Sequence, residues 1–189
     1  MKIDWQVKKV KLQHALLSEG KFYLGSVRNS VLIVVFEYLP QLSKQDAQGC
    51  IRVALTAIKE AVDELHSRNV AHLDIRLPNI CFKSPSVAVL IDFERAEGTI
   101  KSKLLDSYNS CMYRTGWRLE DIDFLQVYWM ALWLLLDDVH VSKMSYHSMD
   151  TLEASNISSE CCKGLLNWIK KLQSPLPLDH WSQFLDFIK

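Results

Sequence analysis

AHLDIRLPNICFKSPSVAVLIDFERA, residues 71–96, is the most informative segment of the sequence. In it, Asp74 and Asn79 lie five positions apart, and Asp92 follows thirteen positions after Asn79 at the end of an apolar run. Two apolar runs on either side of KSPS predict a β-hairpin, because that short polar sequence favours a turn. A hairpin brings its two ends to the same edge, so we expect Asn79 and Asp92 to lie close together.

Asp74, Asn79 and Asp92 carry the oxygen atoms that phosphoryl transfer requires. One carboxylate orients the attacking hydroxyl, and two further oxygen ligands hold Mg²⁺ against the phosphates. Each residue alone also fits an ordinary role, because Asp and Asn are common in turns and at strand ends. Taken together, their types, their spacing, the preceding helix and the intervening hairpin favour the functional interpretation.

The stretch resembles two consecutive motifs of the protein-kinase family. Residues 72–79 match the catalytic loop H-x-D-x-x-x-x-N, and residues 92–94 fall at the D-F-G position of the metal-binding loop. The chain is therefore identified as a member of the protein-kinase-like superfamily. The resemblance implies an α+β fold, with a mainly helical large lobe over residues 41–189 and a truncated small lobe over residues 1–40. That small lobe would consist of a helix, a remnant β-hairpin and the hinge.

The resemblance also implies catalytic and metal-binding roles for particular residues. Asp74 would accept or orient the proton of the attacking hydroxyl, and Arg76 would lie where kinases place a lysine against the transferred phosphate. Asn79 would complete the catalytic loop and share the ligation of Mg²⁺ with Asp92. Asp92 would thereby also contribute to binding of the nucleotide, which is expected to be ATP.

A second part of the nucleotide site is implied by FEYL, residues 36–39, which resembles the gatekeeper and hinge of kinases. There Glu37 and Leu39 would present backbone groups to the adenine of ATP. On these four residues alone, a buried strand followed by an ordinary turn is an equally good interpretation. His72 and Phe93 would be packing residues that join the catalytic loop to the metal-binding loop through the core.

The remaining sequence predicts mostly helices. The expected elements are a helix over residues 5–17, or alternatively a strand over 5–10 with a kinase-type lysine; a hairpin of 21–25 and 30–39; a helix from a capping box at 43–46 to about residue 67; a buried core helix over 124–136; and helices over 158–173 and 179–188. Residues 123–128 fall where the family has D-x-W-S-x-G at the start of its central helix. Residues 94–120 are polar and without periodicity, which is typical of a surface loop.

Several positions depart from the family pattern. Leu73 replaces the arginine that many kinases use to bind an activation-loop phosphate, and Glu94 replaces the glycine that follows Asp-Phe. The second change resembles the D-[FW]-E of aminoglycoside and choline kinases. Before the hinge the chain contains only Gly20 and Gly25 and no G-x-G-x-x-G, and residues 9–10 occupy the place of the usual glutamate. The strands that cover ATP and their Lys-Glu pair are therefore expected to be missing.

Three functions follow from the resemblance and its gaps. The first is ATP- and Mg²⁺-dependent phosphate transfer to a hydroxyl, with protein Ser, Thr or Tyr as acceptor and with the nucleotide cover supplied by a partner, a second copy or upstream sequence. The second is a catalytically inactive pseudokinase that binds a protein partner. The third, a small-molecule kinase, depends on Glu94 and on YRTGW at 113–117, which resembles Y-R-A-P-E without its Pro and Glu. An unpaired strand edge in the truncated lobe also predicts a homodimer.

The charge and the cysteine content argue against several other classes of protein. The 22 basic and 22 acidic residues give a net charge of zero, which removes any general electrostatic case for binding nucleic acid. The five cysteines form no C-x-x-C pair, so reduced thiols and a cytoplasmic location are expected. The N-terminal sequence has no apolar signal segment, and the most apolar run, 124–136, is too short to span a bilayer.

Overall fold

The computed structural model describes residues 23–24, 34–35, 39–41, 43–98, 103–105, 114–136 and 151–188. The predicted helix over residues 5–17 and the predicted hinge residue Glu37 lie outside these ranges. So does most of the sequence on which the dimer prediction depends.

The described chain combines helices with short antiparallel strands, as predicted for an α+β fold. The elements are β1 (Tyr23–Leu24), β2 (Val34–Val35), α1 (Lys44–Gly49), α2 (Ile51–Ser67), β3 (Val70–Ala71), β4 (Ile80–Ser84), β5 (Val87–Leu90), β6 (Glu97–Gly98), α3 (Leu119–Leu135), α4 (Glu160–Lys171) and α5 (His180–Leu185). Strand β1 pairs with β2, β3 with β6 and β4 with β5, and each pair is antiparallel. Both predicted hairpins and both C-terminal helices are thereby confirmed.

The β4–β5 hairpin brings the two ends of residues 80–90 side by side. Ile80 pairs with Leu90 and Phe82 with Ala88, and the register shifts between Phe82 and Ser84. Ile80 is fully buried and Leu90 nearly so, whereas residues 83–87 at the tip are exposed. The buried end of the hairpin is therefore the end that carries the predicted site.

The helix predicted from residue 43 to residue 67 is wrong in one respect, because it is broken at Cys50. Its start is as expected: the Ser43 hydroxyl oxygen accepts a hydrogen bond from the backbone N–H of Asp46 at 3.1 Å. At Cys50 the backbone leaves the helical region, with φ −136° and ψ 32°. Gly49 precedes the break, and glycine is a poor helix former because its backbone loses the most entropy on ordering.

The break turns α1 into a short separate helix that docks on the end of α3. Lys44 Nζ donates to the backbone oxygen of Leu136 at 2.9 Å, and Gln48 Nε2 donates to that of Leu134 at 2.6 Å. These two side chains satisfy carbonyl groups that have no partner within α3. A cation at the C-terminal end of a helix is also favoured by the helix dipole.

Helix α3 is the centre of the fold. The predicted core helix over 124–136 is confirmed but begins earlier, at Leu119, so Asp123 lies in its second turn rather than at its start. Every residue from 121 to 132 is buried, and helices α1, α2 and α4 all pack against α3. No helix within the described ranges is long and apolar enough to cross a membrane.

The polar segment after the hairpin contains some regular pairing that was not predicted. Strand β6 pairs with β3, with Val70 opposite Gly98 and Ala71 opposite Glu97. Farther along, Leu104 forms an isolated bridge with Arg118 just before α3. The first pairing ties the chain that follows the predicted site to the chain that precedes it.

An aromatic cluster joins α3 to α4 and α5 and contains a buried hydrogen bond. The Tyr128 ring lies 4.6 Å from that of Phe184 and 4.9 Å from that of Trp168. Burial, followed by the charges of Asp121 and Asp63, raises the pKa of Tyr128 far above its usual value. The Tyr128 hydroxyl therefore keeps its proton, and it shares a hydrogen bond with Nδ1 of His180.

Acid is expected to destabilise the fold through His180. Burial is the largest influence and lowers the pKa of His180, and Asp121 acts in the opposite direction. Because the pKa of His180 is lower in the folded state, its contribution to the free energy of unfolding is complete above the unfolded-state pKa of about 6.5. This contribution is lost as the pH falls below that value. Urea unfolding at about pH 7.5 and about pH 5 should show the loss in the wild type. In His180→Asn it should be smaller, and an unchanged acid sensitivity in that variant would contradict the assignment.

Candidate active site

The loop of residues 72–79 is held from beneath by two polar side chains of α3. Asp123, which is fully buried, accepts hydrogen bonds from the backbone N–H of His72 at 2.8 Å and of Leu73 at 2.7 Å. Gln126 Oε1 accepts from the backbone N–H of Ile75 at 2.7 Å, and its Nε2 donates to the Leu73 carbonyl at 3.2 Å. Since positions three apart share one face of a helix, one face of α3 fixes the backbone of the loop.

Leu73 adopts a backbone conformation that is unfavourable for its residue type. Its φ is +62°, in the left-handed region where a side chain with a Cβ is strained. The side chain is buried, and Asp123 and Gln126 bind the N–H and the C=O of this residue. Strain of this kind costs on the order of 1–3 kcal/mol and persists only where the surroundings determine the conformation, often at functional sites.

His66 supplies a third partner for the buried carboxylate. Its Nε2 lies 2.9 Å from Asp123 Oδ2, and its ring packs edge-on against Phe124 with 5.5 Å between centroids. His66 lies in the last turn of α2, so this contact connects the helix before the loop to the helix beneath it. A buried carboxylate needs such hydrogen bonds, because an unpaired charge in the interior is costly.

His72 connects the loop to the segment that carries Asp92. Its Nε2 lies 2.9 Å from the backbone oxygen of Ile91, which can only accept, so Nε2 carries the proton. Nδ1 then accepts from the backbone N–H of Asp74 at 3.3 Å, and one neutral tautomer satisfies both contacts. The ring also packs against Phe93 at 4.7 Å, as the sequence predicted for these two residues.

Asp74 and Asn79 are directly bonded to each other. Asn79 Nδ2 donates to both the backbone oxygen and Oδ2 of Asp74, each at 2.9 Å. Arg76 Nε lies 3.4 Å from the same Oδ2, as an ion pair without hydrogen-bond geometry. The Asp74 side chain is 14% exposed, and its Oδ1 receives no hydrogen bond from the described residues. The carboxylate is thus oriented through one oxygen while the other can meet an incoming hydroxyl.

Asn79 and Asp92 lie at the same end of the β4–β5 hairpin, as predicted. The Ile91 N–H donates to the Asn79 backbone oxygen at 2.9 Å, and Asp92 is the next residue. Asp92 is exposed and adopts a left-handed conformation with φ +60° and ψ 69°, after which Phe93 turns back into the core. The Asn79 side chain uses its nitrogen for Asp74, which leaves Oδ1 as the atom that could act as a ligand.

An amide oxygen and a carboxylate fit a Mg²⁺ site that is completed by other oxygen atoms. Mg²⁺ prefers oxygen ligands, is commonly held by one or two protein groups, and keeps water and phosphate oxygens for its remaining positions. The described ranges contain no cluster of three or more His, Cys, Asp or Glu side chains that could hold a metal by themselves. The Asn79 and Asp92 pair would therefore bind Mg²⁺ together with a nucleotide rather than as a separate metal centre.

The predicted hinge is only partly described. Leu39 is half-buried and precedes Pro40, whose backbone oxygen accepts from the Phe82 N–H at 3.0 Å. Gln41 forms a bridge with Cys81. This segment therefore runs antiparallel beside β4, while Glu37 lies outside the described residues and its predicted role stays a prediction.

Sequence reasoning placed residues 123–128 in a family motif but did not predict that His66, Asp123 and Gln126 hold the loop. The signal for two of them was present, because Gln126 interrupts the apolar run over 124–136 and Asp123 lies three positions before it. Polar groups inside a buried helix must be hydrogen-bonded, so their spacing points to a backbone that both must bind. For His66 the sequence carries no comparable signal.

A scan against protein-family models finds no match, and a search of curated proteins finds none either. The protein-kinase-like assignment therefore stays a prediction that depends on the motifs at residues 72–79 and 92–94.

Proposed function

We propose that this chain is a protein-kinase-like phosphotransferase that moves the terminal phosphate of ATP to a hydroxyl of a protein acceptor, with Mg²⁺ as cofactor. The observation that supports the proposal best is the joint placement of Asp74, Asn79 and Asp92. Asn79 bonds to Asp74 through its nitrogen and adjoins Asp92 through the hairpin. One residue thus connects a candidate base to a candidate metal ligand.

In this proposal Asp74 orients the acceptor. A carboxylate within hydrogen-bond reach of a hydroxyl directs a lone pair of its oxygen at the phosphate and accepts the proton as the bond forms. Arg76 is the neighbouring cation and would bind the transferred phosphate. Because Asn79 also donates to Asp74, the carboxylate keeps its orientation without a contribution from the acceptor.

Asn79 Oδ1 and the Asp92 carboxylate would hold Mg²⁺ against the nucleotide phosphates. Bound there, the ion would supply charge neutralisation for the phosphates during transfer. Asp92 is exposed and can reach such a ligand, whereas Asn79 is buried and hydrogen-bonded to Asp74. The proposal thus assigns one exposed and one buried ligand.

Asp123 and Gln126 hold the backbone of the loop in place, as catalysis by positioning requires. Asp123 and Gln126 bind three backbone N–H groups and one carbonyl of residues 72–75. Groups that are fixed before the substrate binds need no reorganisation during the reaction, which lowers the barrier. A loop that served only as a connection would not need a fully buried carboxylate beneath it.

A second candidate function, a pseudokinase that binds a partner, is favoured by a different observation. The sequence before residue 39 contains two glycines and no glycine-rich loop, so the usual cover of ATP is missing from this stretch. A chain of this kind would keep the loop as a structural element and would bind nucleotide weakly or not at all.

Calorimetry of nucleotide binding distinguishes the two candidates. We expect ATP to bind the wild type in the presence of Mg²⁺, and Asp92→Asn to weaken this binding at least about tenfold, because the substitution removes the charged ligand. Without Mg²⁺ the two proteins should bind ATP equally. Glu60→Gln, a change of an exposed carboxylate on α2, is the matched control and should behave as the wild type.

Two results would contradict the phosphotransferase proposal in different ways. Equal Mg²⁺-dependent affinity in the wild type and Asp92→Asn would remove Asp92 from the metal site. No binding by the wild type at millimolar ATP would favour the partner-binding function.

A further inference from the structure

A cleft of about 360 Å³ opens beside Asp74, and apart from Arg76 its lining residues have no role in the chemistry described so far. It lies between the start of α1, the loop after Asp74 and the face of α3 that points away from the aromatic cluster. Its lining includes Gln41, Lys44, Arg76, Pro78, Met130 and Trp133. Arg76 belongs to the cleft and also lies 3.4 Å from Asp74 Oδ2, so the cleft adjoins the candidate base.

The charge of the lining has one sign. Among the described residues, Lys44 and Arg76 are the charged ones that line the cleft, and no described carboxylate lines it. Lys44 Nζ lies 4.6 Å from the centre of the Trp133 ring and donates to the Leu136 carbonyl, which fixes the ammonium at the wall. The nearby Asp46 carboxylate is exposed and accepts from Ser43 Oγ at 2.6 Å. An anion inside the cleft would therefore meet Lys44 and Arg76, the second of which also pairs with Asp74.

The rest of the lining is apolar. Met130 is fully buried, and Leu77 and Pro78 from the loop face the same space as the Trp133 ring. Such a surface suits the methylene groups of a side chain better than a free inorganic anion, because apolar contact adds to the charge interaction. The occupant that fits is therefore an anionic group on a short apolar stem.

We propose that this cleft selects the acceptor by binding an acidic side chain of the protein segment whose hydroxyl Asp74 orients. The inference depends on the proposed phosphotransferase function for the identity of the hydroxyl. The two sites adjoin, because Arg76 lines the cleft and also lies 3.4 Å from Asp74 Oδ2, so the acidic residue and the hydroxyl lie within a few positions of each other in the segment. A chain segment is the fitting occupant because it can fill the cleft and pass Asp74 at once.

The test is a binding experiment that needs neither nucleotide nor phosphate transfer. A short peptide with one serine and a glutamate two positions away is titrated into the full chain, beside a peptide with glutamine in place of the glutamate. The readout is the indole N–H signal of Trp133 in the nuclear magnetic resonance spectrum, identified among the six tryptophans with Trp133→Phe. We expect the glutamate peptide to shift this signal and to bind about tenfold more tightly than the glutamine peptide.

Variants of Lys44 show whether the cleft is responsible. Lys44→Met should abolish the preference for glutamate, whereas Lys44→Arg should keep it because the charge remains. Lys171→Met, at an exposed position in the last turn of α4, is the matched control and should keep the full preference. The affinity of Lys44→Met for the glutamine peptide should equal that of the wild type, which shows that a lost preference for glutamate is not due to misfolding.

The outcomes separate this inference from the proposed function. Equal affinity for the two peptides, an unmoved Trp133 signal, or an unchanged preference in Lys44→Met would each overturn the acidic-acceptor inference, even in a chain that transfers phosphate. A clear preference that depends on Lys44, in a chain that never transfers phosphate, would support the cleft as a binding site and count against the phosphotransferase.

Discussion

Replacing Asp123 with alanine is expected to destabilise the protein by about 3–5 kcal/mol, the largest effect of any single substitution considered for this chain. The carboxylate is fully buried and accepts from the N–H groups of His72 and Leu73 and from His66. Alanine would leave two buried backbone donors without acceptors and would release Leu73 from its strained conformation. Urea unfolding followed by circular dichroism measures the loss.

Two further variants show that the effect comes from these hydrogen bonds. Asp123→Asn keeps the shape of the side chain and one acceptor oxygen, so it should cost less than Asp123→Ala. Glu120→Ala changes a partly exposed carboxylate of the same helix, which lies 3.8 Å from Arg118, and should alter stability by less than about 0.5 kcal/mol. If Asp123→Ala unfolds at the same urea concentration as Glu120→Ala, α3 does not hold the loop.

The local features of the site could be predicted from sequence because each depends on a short pattern. The hairpin that joins Asn79 to Asp92 follows from two apolar runs around a polar turn, and the structure has it with the expected pairing. The contact between His72 and Phe93 followed from the motif resemblance. In these cases the residues that determine the geometry are close in sequence.

Features that depend on distant residues could not be predicted in the same way. The pairing of β3 with β6 involves two strands of two residues each, too short for a periodic pattern. The break at Cys50 was missed because apolar spacing continues across it, and only Gly49 marks the point. Asp123 was noticed as part of a motif, yet its contacts with a loop about fifty positions earlier depend on how α3 packs. Tertiary packing therefore determines the contacts that a local sequence pattern cannot predict.

The positions of the predicted site residues follow from the structure, whereas their roles in phosphate transfer do not. The structure brings Asp74, Arg76 and Asn79 into contact and places Asp92 beside Asn79 in the chain that follows the hairpin. Position can be derived from hydrogen bonds and register alone. A role in phosphate transfer depends on the nucleotide and the acceptor, so it is tested by substitution.

Asp74→Asn is expected to lower the rate of phosphate transfer by about 10²–10⁴ while ATP affinity stays the same, because a general base acts on the acceptor and not on the nucleotide. The amide is nearly isosteric with the carboxylate, and Asn79 keeps its 2.9 Å hydrogen bond to the backbone oxygen of residue 74, so the loop should retain its fold. Transfer is measured with labelled ATP and a serine peptide, and affinity by calorimetry. Asp92→Asn should instead lose affinity, so the two variants fail at different steps. If Asp74→Asn transfers phosphate as fast as the wild type, Asp74 is not the base, and the hydroxyl must be oriented by another group.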